Sequence, residues 1–460
     1  MASSDRLPAV PSLLLVTLAG VYALVMLGAT TSVTDALASC GGWPACDGRV
    51  LVAPSDPAAV ALAHRLVAVV VGLLLLVVLI AAVRQREPRR VRIALGCVAI
   101  GYLAQIGVGA MTALELAGPL VGTAHLGLGM GIFAALVAAF AWSLERRHPT
   151  IRSPARESAS PTEPQPALDR EPTWRDVAAA YLSLTKPRLM WLLCLVALAA
   201  MAFAAGPALP AGTVLATLLG GVLAIGASGT FNHVLERDVD RRMQRTSDRP
   251  LAADLIPVRR ALAFGVVLGA LSIGIFLAFV NVLAAALGLA AIVFYSVIYT
   301  LILKPNTVQN TVVGGFAGAL PALIGWAAIT GSLSLAAFVL ALVIFAWTPA
   351  HFYNLALIFK RDYARGGFPM LPVVRGDRET RKHIVWYAGA TMLAVAWLAA
   401  IEPLGWLFAA VAIATGLAFV VMIHRLHVHQ TRTAAWRTFH ASNGYLGLLL
   451  VAIIVDALLV

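Results

Sequence analysis

The stretch Thr213–Leu251, TVLATLLGGVLAIGASGTFNHVLERDVDRRMQRTSDRPL, decides how the rest of the chain is read. An apolar run of about 20 residues, long enough to cross the hydrocarbon core of a bilayer, passes directly into the densest polar segment of the sequence. Asn232, Glu236 and Asp240 stand at i, i+4 and i+8, so one helix face presents three oxygen-bearing side chains in a row. Acids at four-residue spacing that begin inside an apolar helix are costly there unless they bind something. Magnesium takes hard oxygen ligands and commonly binds through one or two carboxylates together with substrate phosphates. The face therefore predicts a magnesium-diphosphate site at a membrane boundary, with Arg241, Arg245 and Arg249 available to the remaining phosphate oxygens through bidentate hydrogen bonds. An ordinary charged helix end is the plainer alternative.

Working outward, 60% of the 460 residues are hydrophobic and 12% are charged, against about a quarter charged in soluble domains. Apolar runs of about 20 residues recur about thirteen times between Leu13 and Val460, which predicts an all-α polytopic protein of the cell membrane with the lipid bilayer as its solvent. The formal charge of +12 does not indicate nucleic acid, because the arginines sit in short loops between apolar runs. Arg84, Arg86, Arg89, Arg90 and Arg92 share one loop, Arg146 and Arg147 the next of the same parity, and Arg237, Arg241, Arg242, Arg245, Arg249, Arg259 and Arg260 another. Loops of the other parity carry almost no positive charge. By the positive-inside rule the N-terminus is cytoplasmic and the C-terminus lies outside. The first apolar run, Ser12 to Thr31, is long enough to span and is expected to stay in the membrane.

Residues 146–175, rich in Pro, Ser, Glu and Arg, read as a solvated cytoplasmic linker. It separates a four-helix membrane bundle, residues 1–145, from a nine-span module, residues 176–460. In the first module His64 and His125 begin two helices just inside the outer face. Intramembrane histidines are costly without partners. Axial ligation of a heme iron by both imidazoles and simple hydrogen bonding to helix neighbours are equally open readings. Cys40 and Cys46 share a loop on the predicted outer side, where a disulfide is favoured over a metal site because no histidine is near. Cys97 and Cys194 read as small buried hydrophobes.

A second polar patch closes the sixth span of the nine-span module and runs from Trp347 to Pro372. His351, Asn354 and Asp362, at i, i+3 and i+11, share a helical face on the same predicted membrane side as the first patch. Two such faces can grip one diphosphate from both ends.

With these residues in view, residues 176–460 resemble the UbiA superfamily of intramembrane prenyltransferases, and within it the protoheme IX farnesyltransferase branch. That superfamily has a nine-helix fold and two aspartate-rich motifs for magnesium and isoprenoid diphosphate. The first, Asn-x3-Asp-x3-Asp, is matched by Asn232, Glu236 and Asp240, with glutamate in the middle. The second, Asp-x3-Asp, keeps only Asp362, since Ile358 stands at its first position. The strings Arg237-Asp238-Val-Asp240, Met243-x-Arg245-Thr246, Arg249-Pro250-Leu251, Pro349-Ala-His351-Phe352 and Asp362-Tyr363 carry the resemblance to the heme branch, as do Leu303-Lys304 and Asn310. Residues 1–145 resemble one half of a heme A synthase, through the Cys40-x2-Trp43-Pro-x-Cys46 loop, His64-Arg65 and His125, with Ala61 where a glutamate is usual.

The resemblance implies transfer of a farnesyl group from farnesyl diphosphate to the vinyl group of heme B, giving heme O. Asn232, Glu236, Asp240 and Asp362 are then the magnesium ligands. Arg241, Arg245, Arg249, Lys304, Lys360 and Arg361, with Asn310 and Asn354, face the diphosphate, and Asp240, Asp362 and His351 are the catalytic candidates. Tyr295 and Tyr299 either stabilise an allylic cation through their ring faces or pack the core. Heme is thus expected as substrate and, at His64 and His125, as a bound group. A heme A synthase or an assembling terminal oxidase is the candidate partner. Two rival readings stand beside this one: a UbiA-type enzyme with another aromatic or lipid acceptor, and a non-enzymatic heme-binding membrane protein.

Overall fold

The computed structural model describes residues 9–33, 40, 42–46, 48, 58–114, 119–147, 173–402 and 404–459, and no strand forms among them. Nearly all of the linker, residues 148–172, lies outside the described residues. Thirteen described helices are long and apolar enough to cross a membrane, four before residue 147 and nine after residue 186. Backbone amides in lipid have no water to bond, so a chain this apolar must satisfy them within helices.

The order is α1 (Val10–Val33), α2 (Ala58–Arg84), α3 (Arg89–Ala113), α4 (Pro119–Arg147), then the short α5 (Trp174–Leu184). α5 opens with a capping box between Thr173 and Asp176. α6 (Pro187–Ala205), α7 (Ala211–Leu235), the single turn α8 (Arg237–Asp240), α9 (Val258–Phe279) and α10 (Val282–Val293) follow. α10 continues in π-helical register through Phe294–Leu303 into α11 (Lys304–Asn306). α12 (Asn310–Thr330), α13 (Leu335–Ile358), the short α14 (Lys360–Arg365) and α15 (Leu371–Val374), and the long α16 (Gly376–Ile401), α17 (Trp406–His429) and α18 (Arg432–Leu459) complete the chain.

The helices form two compact units that do not follow chain order: residues 1–149 with 384–445, and residues 150–383 with 446–460. In the first unit α1 packs against α2, α4 and α17. A Cβ at Gly389 would lie 2.7 Å from Val137, and one at Gly416 would lie 3.1 Å from the Tyr22 ring, so these glycines let α16 and α17 close on α4 and α1. In the second unit α7 packs on α9 and α6 on α12. Gly265 accepts the ring of Phe231, and Gly325 has no room for a Cβ beside the Ala197 carbonyl. Lipid is as apolar as leucine, so close approach at small residues replaces hydrophobic burial as the packing force. Leu66, Leu73, Leu103, Leu215 and Phe279 are accordingly exposed, as lipid-facing side chains should be.

Candidate active site

The first polar patch is not one continuous helix. α7 ends at Leu235, Glu236 caps it, and α8 adds one turn. Helical hydrogen bonds still bridge the break, from Glu236 N to Asn232 O at 2.9 Å and from Asp240 N to Glu236 O at 2.7 Å, so the four-residue spacing is kept. Asn232, Glu236 and Asp240 are all buried.

Each has a cationic partner from a different element. Lys304 Nζ meets Glu236 Oε1 at 2.5 Å, with the ammonium 4.5 Å from the centre of the Phe368 ring. Arg249 Nη1 donates to both oxygens of Asp240, at 2.9 and 2.8 Å. Lys186, just before α6, donates to Asn232 Oδ1 and, at 3.3 Å, to the Tyr295 hydroxyl. Its passage depends on Gly229, where a Cβ would lie 2.8 Å from Leu184 O and 3.3 Å from Lys186 Cγ. The other end of the Asn232 amide is held as well: Nδ2 donates to Thr300 Oγ1 at 3.1 Å, and Thr300 in turn donates to the Tyr295 carbonyl at 2.8 Å. That five-residue reach from Thr300 back to Tyr295 lies within the π-helical segment, a form of helix frequent at functional sites.

Burial raises the Asp240 carboxyl above its ordinary value, against the pull of Arg249. Burial pushes Glu236 the same way, but Lys304 and Lys186 outweigh it and hold that carboxyl below its ordinary value. Burial, then the nearby Arg249, brings Lys186 down to about 8.

The two patches meet. Arg245 lies 4.9 Å from the centre of the Phe359 ring and 5.8 Å from that of Tyr363, on either side of the α13–α14 junction. A Cβ at Gly366 would touch Met243 at 3.0 Å. Asp362, buried on α14, has Arg365 at 3.6 Å. Burial raises the neighbouring Tyr363 hydroxyl.

Several other residues expected at the diphosphate are engaged by protein partners. Arg241 turns to Asp254 at 2.7 Å and to the Ala252 carbonyl at 3.0 Å, fixing the loop that carries Arg249. Lys360 pairs with Asp377 at 2.8 Å, and Arg361 is exposed. Asn310 closes the turn before α12 by donating to Thr307 O at 2.7 Å. Asn354 donates to Ala350 O within α13, and His351 stacks on Trp347 at 4.3 Å. Tyr295 faces the cluster, whereas Tyr299 packs on Gly314. Lys186 and Thr300 were not singled out in the sequence. A lysine held between Thr185 and Pro187, one step before an apolar run on the same predicted side, was the available signal for the first. Thr300, inside an apolar run, offered none.

Among the described residues no three His, Cys, Asp or Glu side chains come together closely enough to hold a metal alone. One amide and two carboxylate oxygens are nonetheless a hard donor set that suits magnesium whose shell is completed by phosphate oxygens. A cavity with largely apolar walls adjoins the cluster at Lys186 and Tyr295.

In the first unit, Gln105 on α3 donates to the His125 carbonyl at 2.9 Å and lies 3.3 Å from its Nε2. Nδ1 of His64 and Nδ1 of His125 are buried and, among the described residues, have no hydrogen-bond partner. Cys40 and Cys46 are joined by a disulfide, and Arg65 donates to Pro44 O of the same loop at 3.1 Å.

Residues 193–447 match the UbiA prenyltransferase family. A protoheme IX farnesyltransferase of Haloarcula marismortui is 56% identical over 457 residues, covering 97% of this chain and 98% of that protein. One from Halobacterium salinarum is 52% identical over 447 residues, covering 96% of this chain and 100% of that protein. Among solved structures, a digeranylgeranylglyceryl phosphate synthase aligns with a TM-score of 0.52 at 15% identity, covering 62% of this chain and 99% of its own. That likeness concerns the fold.

Proposed function

The chain belongs to the UbiA prenyltransferase family, and from that membership we propose that it transfers the farnesyl group of farnesyl diphosphate to a vinyl group of protoheme IX, forming heme O. The observation that carries the choice of acceptor is that likeness to protoheme IX farnesyltransferases runs the length of the chain, first unit included, rather than stopping at the family's core.

Asn232, Glu236 and Asp240 would hold magnesium together with the substrate diphosphate, and Asp362 on α14 is the candidate ligand from the other side of that diphosphate. The bound ion supplies positive charge to the oxygens of the leaving group. Lys186, Arg245, Arg249 and Lys304 receive the diphosphate as the allylic C–O bond breaks and its electron pair leaves with oxygen. Lys304 and Arg249 exchange Glu236 and Asp240 for phosphate oxygens as they do so. The Tyr295 ring faces the allylic carbon and favours its developing charge. The vinyl group supplies the electron pair for the new C–C bond. Water then adds to the resulting cation and loses one proton, for which His351 is the candidate acceptor. The apolar cavity takes the prenyl tail.

The same reading assigns a heme to His64 and His125, because two partly buried imidazoles whose Nδ1 atoms have no hydrogen-bond partner among the described residues suit axial ligation. It keeps residues 146–175 as a cytoplasmic linker between a four-helix and a nine-helix module, the N-terminus inside and the C-terminus outside, and a heme A synthase or terminal oxidase as consumer of the product. The test is heme extraction from membranes containing this chain. Heme O is expected with the wild type and absent with Asp240→Ala, and conversion of another acceptor without heme O would overturn the proposal.

A further inference from the structure

The cavity runs between α6, α7, α10 and α12. Its lining follows α7 from Gly229 to Thr217, about 18 Å of helix, and α6 from Lys186 to Ala197, about 16 Å. At the end far from Lys186 stand Thr217 and Ile324. Ile324 belongs to a buried cluster with Phe276, Ala284 and Ala285. Phe276 is fully buried in a cradle of glycines: a Cβ at Gly220 would lie 3.0 Å from its ring, and one at Gly288 would lie 2.9 Å from it. Thr217 is buried too, and its hydroxyl has no hydrogen-bond partner among the described residues. Its contribution there is volume.

We propose that Thr217 and Ile324, backed by Phe276, form the stop that sets the length of prenyl chain this enzyme accepts. The inference rests on reading the polar cluster as a prenyl diphosphate site. With the diphosphate fixed at Lys186 and Arg249, a tail lying along the α6 and α7 walls of the cavity runs toward Thr217 and Ile324, and a hydrocarbon tail offers no hydrogen bond by which its length can be read. Length is sensed by packing. A longer chain must displace a ring held rigidly between two backbones, and a shorter one leaves a void at Thr217.

The experiment gives the full chain, in lipid nanodiscs, geranyl, farnesyl and geranylgeranyl diphosphate with protoheme and compares kcat/KM. Thr217→Leu is expected to shift the geranyl-to-farnesyl ratio toward geranyl by about tenfold, and Phe276→Leu and Ile324→Ala to shift the geranylgeranyl-to-farnesyl ratio toward geranylgeranyl by about as much. Impaired folding lowers all three rates together and leaves the ratios unchanged. For a variant without turnover, competition among the three unreactive thiolodiphosphates for binding reads the same preference. Ratios within about twofold of the wild type in all three variants overturn the stop. A wild type inert toward all three chains overturns the underlying prenyltransferase reading instead.

Discussion

The polar cluster of the second unit and the paired histidines of the first are both buried polar groups in an apolar protein, and they are built on opposite plans. In the cluster, Glu236, Asp240 and Asn232 are matched by Lys304, Arg249 and Lys186. His125 has the Gln105 amide beside its Nε2, and Nδ1 of both His64 and His125 has no hydrogen-bond partner among the described residues. A buried ion pair is weak evidence for stability, since desolvation offsets much of the attraction. On the proposed reading its use is exchange: a polyanion arriving with a divalent cation frees the acids for the metal and gives the bases to phosphate, so acids and bases have partners in both states. Neither imidazole has a charged partner to exchange among the described residues, and their free Nδ1 atoms retain capacity for an external ligand.

The largest effect should come from destroying the exchange. Asp240→Ala, or removal of divalent metal by a chelator, is expected to lower farnesyl transfer by about 10³-fold, with magnesium restoring only the chelated wild type. Lys186→Met should cost about 10²-fold in kcat/KM, and Lys186→Arg should recover part of it, as a steady-state assay over farnesyl diphosphate concentration will show. Thr300→Val leaves the Asn232 amide without its orienting acceptor. It should raise the magnesium concentration for half-maximal rate about tenfold while Thr300→Ser does not, and Mn²⁺ binding followed by electron paramagnetic resonance reads the same change without turnover. The smallest effect on transfer belongs to the other region. His64→Ala with His125→Ala should leave the rate within about twofold while abolishing the absorption of any heme that copurifies with the chain.

The thirteen spans were legible because lipid permits only one reading of long apolar runs, and Asn232, Glu236 and Asp240 because helical spacing puts them together wherever the chain goes. The cations were harder. Arg249 and Lys304 reach the acids, but Arg241, next to Asp240 in sequence, turns to Asp254, whose left-handed backbone (φ +59°) sets a turn that spacing does not encode. Lys186 arrives from a position 46 residues away from Asn232 in sequence, and Thr300 depends on a π-helical register. The grouping of residues 384–445 with the first four helices rests on glycines that accept Val137 and Tyr22, which have no signature as isolated letters.

The most direct test of the central claim supplies the purified chain with magnesium, radiolabelled farnesyl diphosphate and either protoheme or mesoheme, whose ethyl groups replace the vinyls. Label should enter protoheme, yield a hydroxyethylfarnesyl heme by mass spectrometry, and fail to enter mesoheme. Equal labelling of both hemes, or labelling of neither while membrane lipid or a quinol precursor is prenylated, would contradict it.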